Sequence, residues 1–133
     1  MDKIFNVLSI ATAIVGGFIA SLFGAWDMIL WALLVLMALD YITGIVKAVY
    51  TKTMSSEIGF KGILKKMTVL SVVVLANVIQ RLVGNNVAIR EIVIMFYIAN
   101  EGISILENVA VVSQKMPAAL RDILLQLRGD KFE

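Results

Sequence analysis

Four long apolar runs, separated by short polar segments, dominate the pattern along the chain. They cover residues 4–26, 28–50, 67–83 and 92–114. A membrane-spanning helix needs about 20 predominantly apolar residues, so the pattern predicts four transmembrane helices. The third run is the weakest, because only residues 67–80 are free of charge. Three spans, with one weak segment at the interface, are the alternative.

Turn and cap residues place the helix boundaries. Residues 24–27 leave room for only a short turn, so the first two helices should form an antiparallel hairpin. Ser55, Ser56 and Glu57 favour a helix start, because hydroxyl groups cap free backbone N–H groups and an acid suits the positive end. Gly84, followed by residues 85–86, indicates another turn. We therefore expect helices at about 4–25, 28–50, 57–83 and 91–114.

A short amphipathic helix is predicted at about 118–128, after Pro117. Its apolar residues recur at i, i+3, i+4 and i+7, opposite the charged ones. This pattern predicts a helix lying on the membrane surface or, as an equal alternative, a helix packed on a partner chain. The apolar residues are Leu120, Ile123, Leu124 and Leu127.

The composition indicates that lipid, and not water, surrounds most of the chain. Of the 133 residues, 60% are hydrophobic and 17% charged, and the mean hydropathy is +0.92. Soluble domains are roughly 45–50% apolar and about 25% charged. A soluble chain of this length could not bury so much apolar surface. We expect one all-α membrane domain over residues 1–133. The composition excludes a disordered chain, a disulfide scaffold and a nucleic-acid-binding protein.

The absence of cysteine and histidine limits the chemistry. It excludes thiol nucleophiles, thiolate metal sites and imidazole bases. Gly59 and Gly62 lie beside Lys65 and Lys66 but lack the pattern of a phosphate-binding loop. We interpret them as a hinge or close-packing site in a basic cytoplasmic loop. We expect no enzymatic activity, cofactor or metal site.

The basic residues are distributed asymmetrically. With four spans, ten of the twelve fall on one side, and only Arg81 and Arg90 fall on the other. Lysine and arginine concentrate on cytoplasmic flanks. Both termini should therefore be cytoplasmic. For the first run a cleaved signal peptide is the alternative, although no small-x-small cleavage site follows cleanly.

The fourth helix carries a polar stripe. At 100° per residue, its strongly polar side chains fall within an arc of about 120°. Ionisable groups at membrane depth nearly always face a bundle interior or water. The stripe predicts either a water-lined surface in an assembly or a buried interhelical hydrogen-bond network. Its members are Tyr97, Asn100, Glu101, Ser104, Glu107 and Asn108.

Asp40 is another ionisable group within a predicted membrane span, in the second helix. Its carboxylate could pair with a basic group on a neighbouring helix, join the polar stripe, or act only locally within its own helix. The first helix carries small residues on one side, which let membrane helices approach closely within one chain or between chains. These are Ser9, Ala13, Gly16, Ala20 and Gly24.

Three segments together resemble the bacteriophage holin family, which includes toxin-secretion holins. The first is Asp40-Tyr41-Ile42-Thr43-Gly44 with Lys47-Ala48. The second places Ser55-Ser56, Gly59, Gly62 and Lys65-Lys66 at fixed spacing. The third is Tyr97-Ile98-Ala99-Asn100-Glu101 with Ser104-Ile105-Leu106-Glu107-Asn108. The resemblance covers nearly the whole chain.

The resemblance implies a small protein of the bacterial cytoplasmic membrane that oligomerises and then opens lesions. Endolysin, or in some relatives a large toxin, leaves through them as cargo. The partners are membrane lipids and further copies of the chain. The alternatives are a small-solute transporter or ion channel using Glu101, Glu107 and Asp40, and a scaffold that binds a membrane partner through its basic segments. A transporter would more often show inverted repeats.

Overall fold

The computed structural model describes residues 1–84, 86–113 and 117–129, and these residues form five α-helices and no strand. The all-α fold class is therefore confirmed. Four helices are long and apolar enough to cross a membrane, which favours four spans over three. The helices are α1 (Asp2–Leu22), α2 (Met28–Tyr50), α3 (Ser56–Val83), α4 (Ile89–Ser113) and α5 (Ala118–Arg128).

The observed helix ends lie within three residues of those expected. Side-chain caps explain two starts: Asp27 accepts from the Leu30 N–H at 3.1 Å, and Ser55 accepts from the Ile58 N–H at 3.2 Å. The end of α1 is three residues earlier than expected, before Gly24 turns the chain with a φ of +81°. Four residues used in the sequence interpretation lie outside the described ones: Asn85, Gln114, Lys115 and Lys131.

The apolar core lies between α2, α3 and α4. It is built from the first half of α2, the second half of α3 and the start of α4, so it occupies the end of the bundle next to the α1–α2 turn. Leu30, Leu33, Val73 and Ile94 are 0% exposed. The opposite half of the bundle holds charged residues instead.

α1 differs from the other three long helices because none of its residues is buried. Among the described helices it contacts only α3. A Cβ atom added at Gly16 would meet nothing within 4 Å, and Ser9 and Ala13 are exposed. The small-residue stripe therefore makes no close packing inside the chain along most of its length. Close packing of this stripe between chains stays a prediction.

α5 folds back along α4 of its own chain. The sequence-based expectations, a position on the membrane surface or on a partner chain, did not include this contact, and both stay predictions. Leu124 lies so close to Gly102 that a Cβ atom there would be 2.8 Å from a Leu124 methyl carbon. The missing side chain of Gly102 thus creates a notch that receives α5.

Candidate functional site

Lys66 forms the centre of a buried charged cluster between three helices. Its ammonium group donates hydrogen bonds to Asp40 Oδ2 and to Glu101 Oε2. The side chains of Asp40, Lys66 and Glu101 are 10%, 13% and 3% exposed. We refer to these three residues with Asn108 as the Lys66 cluster. One ammonium group therefore links α2, α3 and α4.

The three charged residues lie at matching depths. Asp40 is ten residues from the end of α2, Lys66 ten from the start of α3, and Glu101 twelve from the end of α4. At 1.5 Å per residue these positions are roughly 15–18 Å from the same end of the bundle. The charges therefore meet one another at a common level inside the bundle.

Asn108 completes the hydrogen bonding of the cluster. Its Nδ2 donates to Asp40 Oδ1 at 3.1 Å, to the Asp40 backbone oxygen at 3.3 Å and to Thr43 Oγ1 at 3.0 Å. Asp40 thus has one carboxylate oxygen on Lys66 and the other on Asn108. Buried polar groups are tolerated only when they are paired in this way.

The balance of charge makes the cluster depend on every member. With both carboxyls ionised, one lysine faces two negative charges. Removing one partner from a buried ion pair leaves an uncompensated charge and typically costs about 3–5 kcal/mol. The cluster is therefore stable only while α2, α3 and α4 are packed together.

Gly59 and Gly62 allow Tyr41 to pack against α3. A Cβ atom at Gly62 would be 3.1 Å from the Tyr41 ring, and the Tyr41 hydroxyl donates to the Gly59 oxygen at 3.3 Å. A cavity of about 190 Å³ lies between this contact and the Lys66 cluster. Of the two interpretations of these glycines, the structure supports close packing, because α3 is continuous through them.

Gly59, Gly62, Lys65 and Lys66 were expected both in a basic loop and in a helix at about 57–83, and the structure places them in the helix. The connection between α2 and α3 is residues 51–55, and Gly59 to Lys66 lie within α3. Lys65 is exposed, whereas its neighbour Lys66 is turned into the bundle. A lysine is drawn inward here because two buried carboxylates on other helices need a cation.

The predicted polar stripe of α4 is divided between two surroundings. Glu101 and Asn108 join the cluster, and Ser104 lines the cavity beside it. Tyr97 packs against the apolar core, and Asn100 is half-buried. An arc of about 120° is too wide for one contact surface, so Glu107, the remaining member, lies outside both the cluster and the apolar core. Glu107 is exposed and lies near α5, where it lines a cavity with Arg121 and Arg128.

A second buried cation, Arg90, was not singled out from the sequence. It is 2% exposed and fastens the α1–α2 turn to the start of α4. Its Nε donates to the Phe23 oxygen at 2.6 Å and its Nη2 to the Ala25 oxygen at 2.5 Å. Both terminal nitrogens bind the Asp27 carboxylate, at 3.0 and 3.3 Å. We refer to Arg90 with these acceptors as the Arg90 clamp.

The Arg90 clamp also acts on the titration of Asp27. The hydrogen bond from Arg90 lowers the pKa of Asp27 below its ordinary value, and the bond from the Leu30 N–H acts in the same direction. A sequence signal for the clamp existed: Asp27 and Arg90 fall on the same side of the membrane. Their separation of 63 positions along the chain prevented a local motif from showing it.

No metal site is formed by the part of the chain that the structure describes, because no group of three or more possible ligands lies together there. The site consists of side chains that hold helices to one another. Its chemistry is ion pairing and hydrogen bonding inside the helix bundle.

Similarity to known proteins identifies the family of the chain. The model of the bacteriophage holin family matches residues 17–129. The chain belongs to the bacteriophage holin family. The match begins inside α1 and includes both the Lys66 cluster and the Arg90 clamp.

Similar proteins occur in bacteria and in a bacteriophage. An "Uncharacterized 14.9 kDa protein in nagH 3'region" of Clostridium perfringens is 40% identical and covers 98% of this holin-family chain and 100% of its own. The "Uncharacterized protein Lmo0128" of Listeria monocytogenes is 39% identical, covering 83% of this chain and 79% of its own. A "Probable holin" of Bacillus phage phi105 is 39% identical, covering 74% and 73%. No solved structure matches the chain.

Proposed function

We propose that this protein assembles from many copies in the bacterial cytoplasmic membrane and opens a lesion through which endolysin, or a large toxin, leaves the cytoplasm. The observation that carries the proposal is α1: a holin-family chain presents a 21-residue apolar helix of which no residue is buried. Such a surface needs lipid or other copies of the chain to cover it.

The interior of one chain argues for a hole built between copies. Apolar side chains fill the space between α2, α3 and α4 at one end, and the Lys66 cluster occupies the middle. A folded enzyme is far wider than the gap between packed helices, whose axes lie about 8–10 Å apart. The lesion must therefore form where separate chains meet.

The charge distribution supports an orientation with both termini in the cytoplasm. Lys47, Lys52 and Lys61 are exposed around the α2–α3 connection, and such residues concentrate on the cytoplasmic side. The Arg90 clamp then lies at the outer face. The partners in this proposal are membrane lipids and further copies of the chain, with endolysin or toxin as cargo that is not stably bound. The role is non-enzymatic.

Induced expression in a bacterium, with and without a co-expressed endolysin, tests the proposal. We expect the membrane potential to collapse in both cultures, and optical density to fall abruptly only with endolysin. A folded cytoplasmic enzyme should appear outside the inner membrane at the moment of collapse. Passage of small solutes without the enzyme would contradict the proposal and favour the transporter alternative.

A further inference from the structure

The contact between α5 and α4 has no role in the cluster or the clamp. Among the described helices, α5 packs only against α4. The contact centres on the notch at Gly102, where a Cβ atom would be 2.8 and 2.9 Å from the two Leu124 methyl carbons. Any larger residue at this position would push the helices apart, so glycine allows the close approach.

Charge complementarity accompanies this fit. Arg121 and Arg128 of α5 line one cavity together with Glu107 of α4. Two cations of α5 thus share a cavity with Glu107, the one acid of the polar stripe that is outside the Lys66 cluster. Opposite charges in proximity reduce the cost of holding either at membrane depth.

α5 covers the side of α4 that the bundle leaves open. At 100° per residue from Asn100, the residues of the cluster and its cavity lie at about 40–100°, and those facing α5 at about 200–340°. We refer to the second set as the Gly102 face. It consists of Gly102, Ile103, Leu106 and Glu107.

The hold of α5 on this face is weak. No residue of α5 is buried, and segments with few buried contacts open most readily. Three of its apolar residues are about half exposed: Leu120 at 46%, Ile123 at 54% and Leu127 at 45%. An amphipathic helix of this kind has an alternative position on the membrane surface.

We infer that α5 is an autoinhibitory strap: docked in the Gly102 notch, it occupies the face of α4 on which a second copy of this chain binds when α5 is released. Small residues are what membrane helices use for close association, and Gly102 is available for it once Leu124 leaves. The inference rests on the proposed function, because it supplies a control for the assembly proposed above.

Substitutions on α5 and α4 give opposite expectations for assembly. Leu124→Ala empties the notch without altering α4, whereas Gly102→Leu blocks the notch for α5 and for a second copy alike. Leu120→Ala is the matched control, since it removes the same side chain from an exposed position of α5. The chain has no cysteine, so no native thiol competes with a single introduced cysteine in labelling or crosslinking.

Two readouts separate docking from pairing. Labelling of Leu125→Cys by a membrane-impermeant maleimide in inverted vesicles measures release of α5. Oxidative crosslinking of Ile103→Cys measures pairing of two copies through the Gly102 face. Lysis timing is recorded in the cysteine-free chain with endolysin.

Leu124→Ala should raise labelling about fivefold or more, increase crosslinked dimer and advance lysis, while Leu120→Ala changes none of these. Gly102→Leu should also raise labelling but abolish the crosslink and delay lysis. If Gly102→Leu crosslinks and lyses as early as Leu124→Ala, or if Leu124→Ala leaves labelling unchanged, the inference is overturned. A parent chain that never lyses would refute the proposed function, whereas labelling and crosslinking would still decide the inference.

Discussion

The Lys66 cluster and the Arg90 clamp solve the same problem, a buried cation, in different ways. Lys66 has two carboxylate partners on two other helices, all buried inside the bundle. Arg90 binds two backbone oxygens and the Asp27 carboxylate of a single turn at the end of the bundle, and the Glu91 carboxylate at 3.4 Å. Lys66 therefore balances charges alone, whereas Arg90 also satisfies carbonyl dipoles. The difference teaches that loss of Lys66 leaves two buried carboxylates behind, while loss of Arg90 leaves two backbone oxygens and two carboxylates that are 37% and 40% exposed.

The largest effect should follow loss of the ammonium group of Lys66. Lys66→Met leaves Asp40 and Glu101 without a cation, and we expect the free energy of unfolding to fall by about 3–5 kcal/mol. Reversible unfolding in mixed detergent micelles measures it. Lys65→Met is the control, because Lys65 is exposed, and it should change stability by less than about 0.5 kcal/mol. Equal effects would show that Lys66 does not balance the carboxylates.

Loss of Arg90 should have a smaller effect. Arg90→Gln removes hydrogen bonds from a charged donor to the turn, and such bonds are each worth about 1.5–3 kcal/mol. We expect a loss within that range, because water at the interface replaces part of the bonding. The same unfolding assay applies, with the exposed Arg81→Gln as its control. A loss as large as that of Lys66→Met would erase the contrast between the two centres.

Arg90→Lys sharpens the same comparison. A lysine keeps the positive charge but lacks the planar fork that reaches several acceptors together. We expect it to recover less than half of the stability lost in Arg90→Gln. Full recovery would mean that charge, and not hydrogen-bond geometry, holds the turn.

Neutralising the whole Lys66 cluster should restore much of what Lys66→Met loses. In Asp40→Asn/Lys66→Met/Glu101→Gln no buried charge remains, and neutral replacement of a complete buried ion network is often tolerated. We expect a residual loss of about 1–2 kcal/mol from imperfect hydrogen bonding. A triple variant as unstable as the single one would show that hydrogen-bond geometry, and not charge balance, dominates.

The smallest effect concerns pH. Because Arg90 lowers the pKa of Asp27, its contribution is complete above the ordinary carboxyl pKa of about 3.9 and disappears as pH falls through the lowered value. The side chain is 37% exposed, so solvent limits the contribution to less than about 1 kcal/mol. Stability of the parent chain should decline below about pH 4 more than that of Asp27→Asn, which keeps a helix-capping side chain. Parallel pH profiles would contradict this.

Much of the helical architecture was predictable because it depends on local sequence. The caps at Asp27 and Ser55 and the apolar runs place the long helices. The partners of Asp40 were only partly predictable: a basic residue on a neighbouring helix was expected, but not which one. Lys65 and Lys66 are adjacent and chemically identical, and only the rotation of α3 decides which one enters the bundle. Arg90 was missed because two of its acceptors are backbone oxygens, which leave no trace in residue type, and because Asp27 is 63 positions away along the chain.

By itself, the sequence determined that lipid surrounds this protein, that long helices cross it, and that Glu101 and Asp40 need shelter, because hydropathy and charge are properties of the residues themselves. Only the tertiary structure decided that Lys66 provides that shelter, that Arg90 binds the α1–α2 turn, and that α5 packs against α4. Each of these depends on distances between residues far apart along the chain, and those distances exist only once the helices have packed.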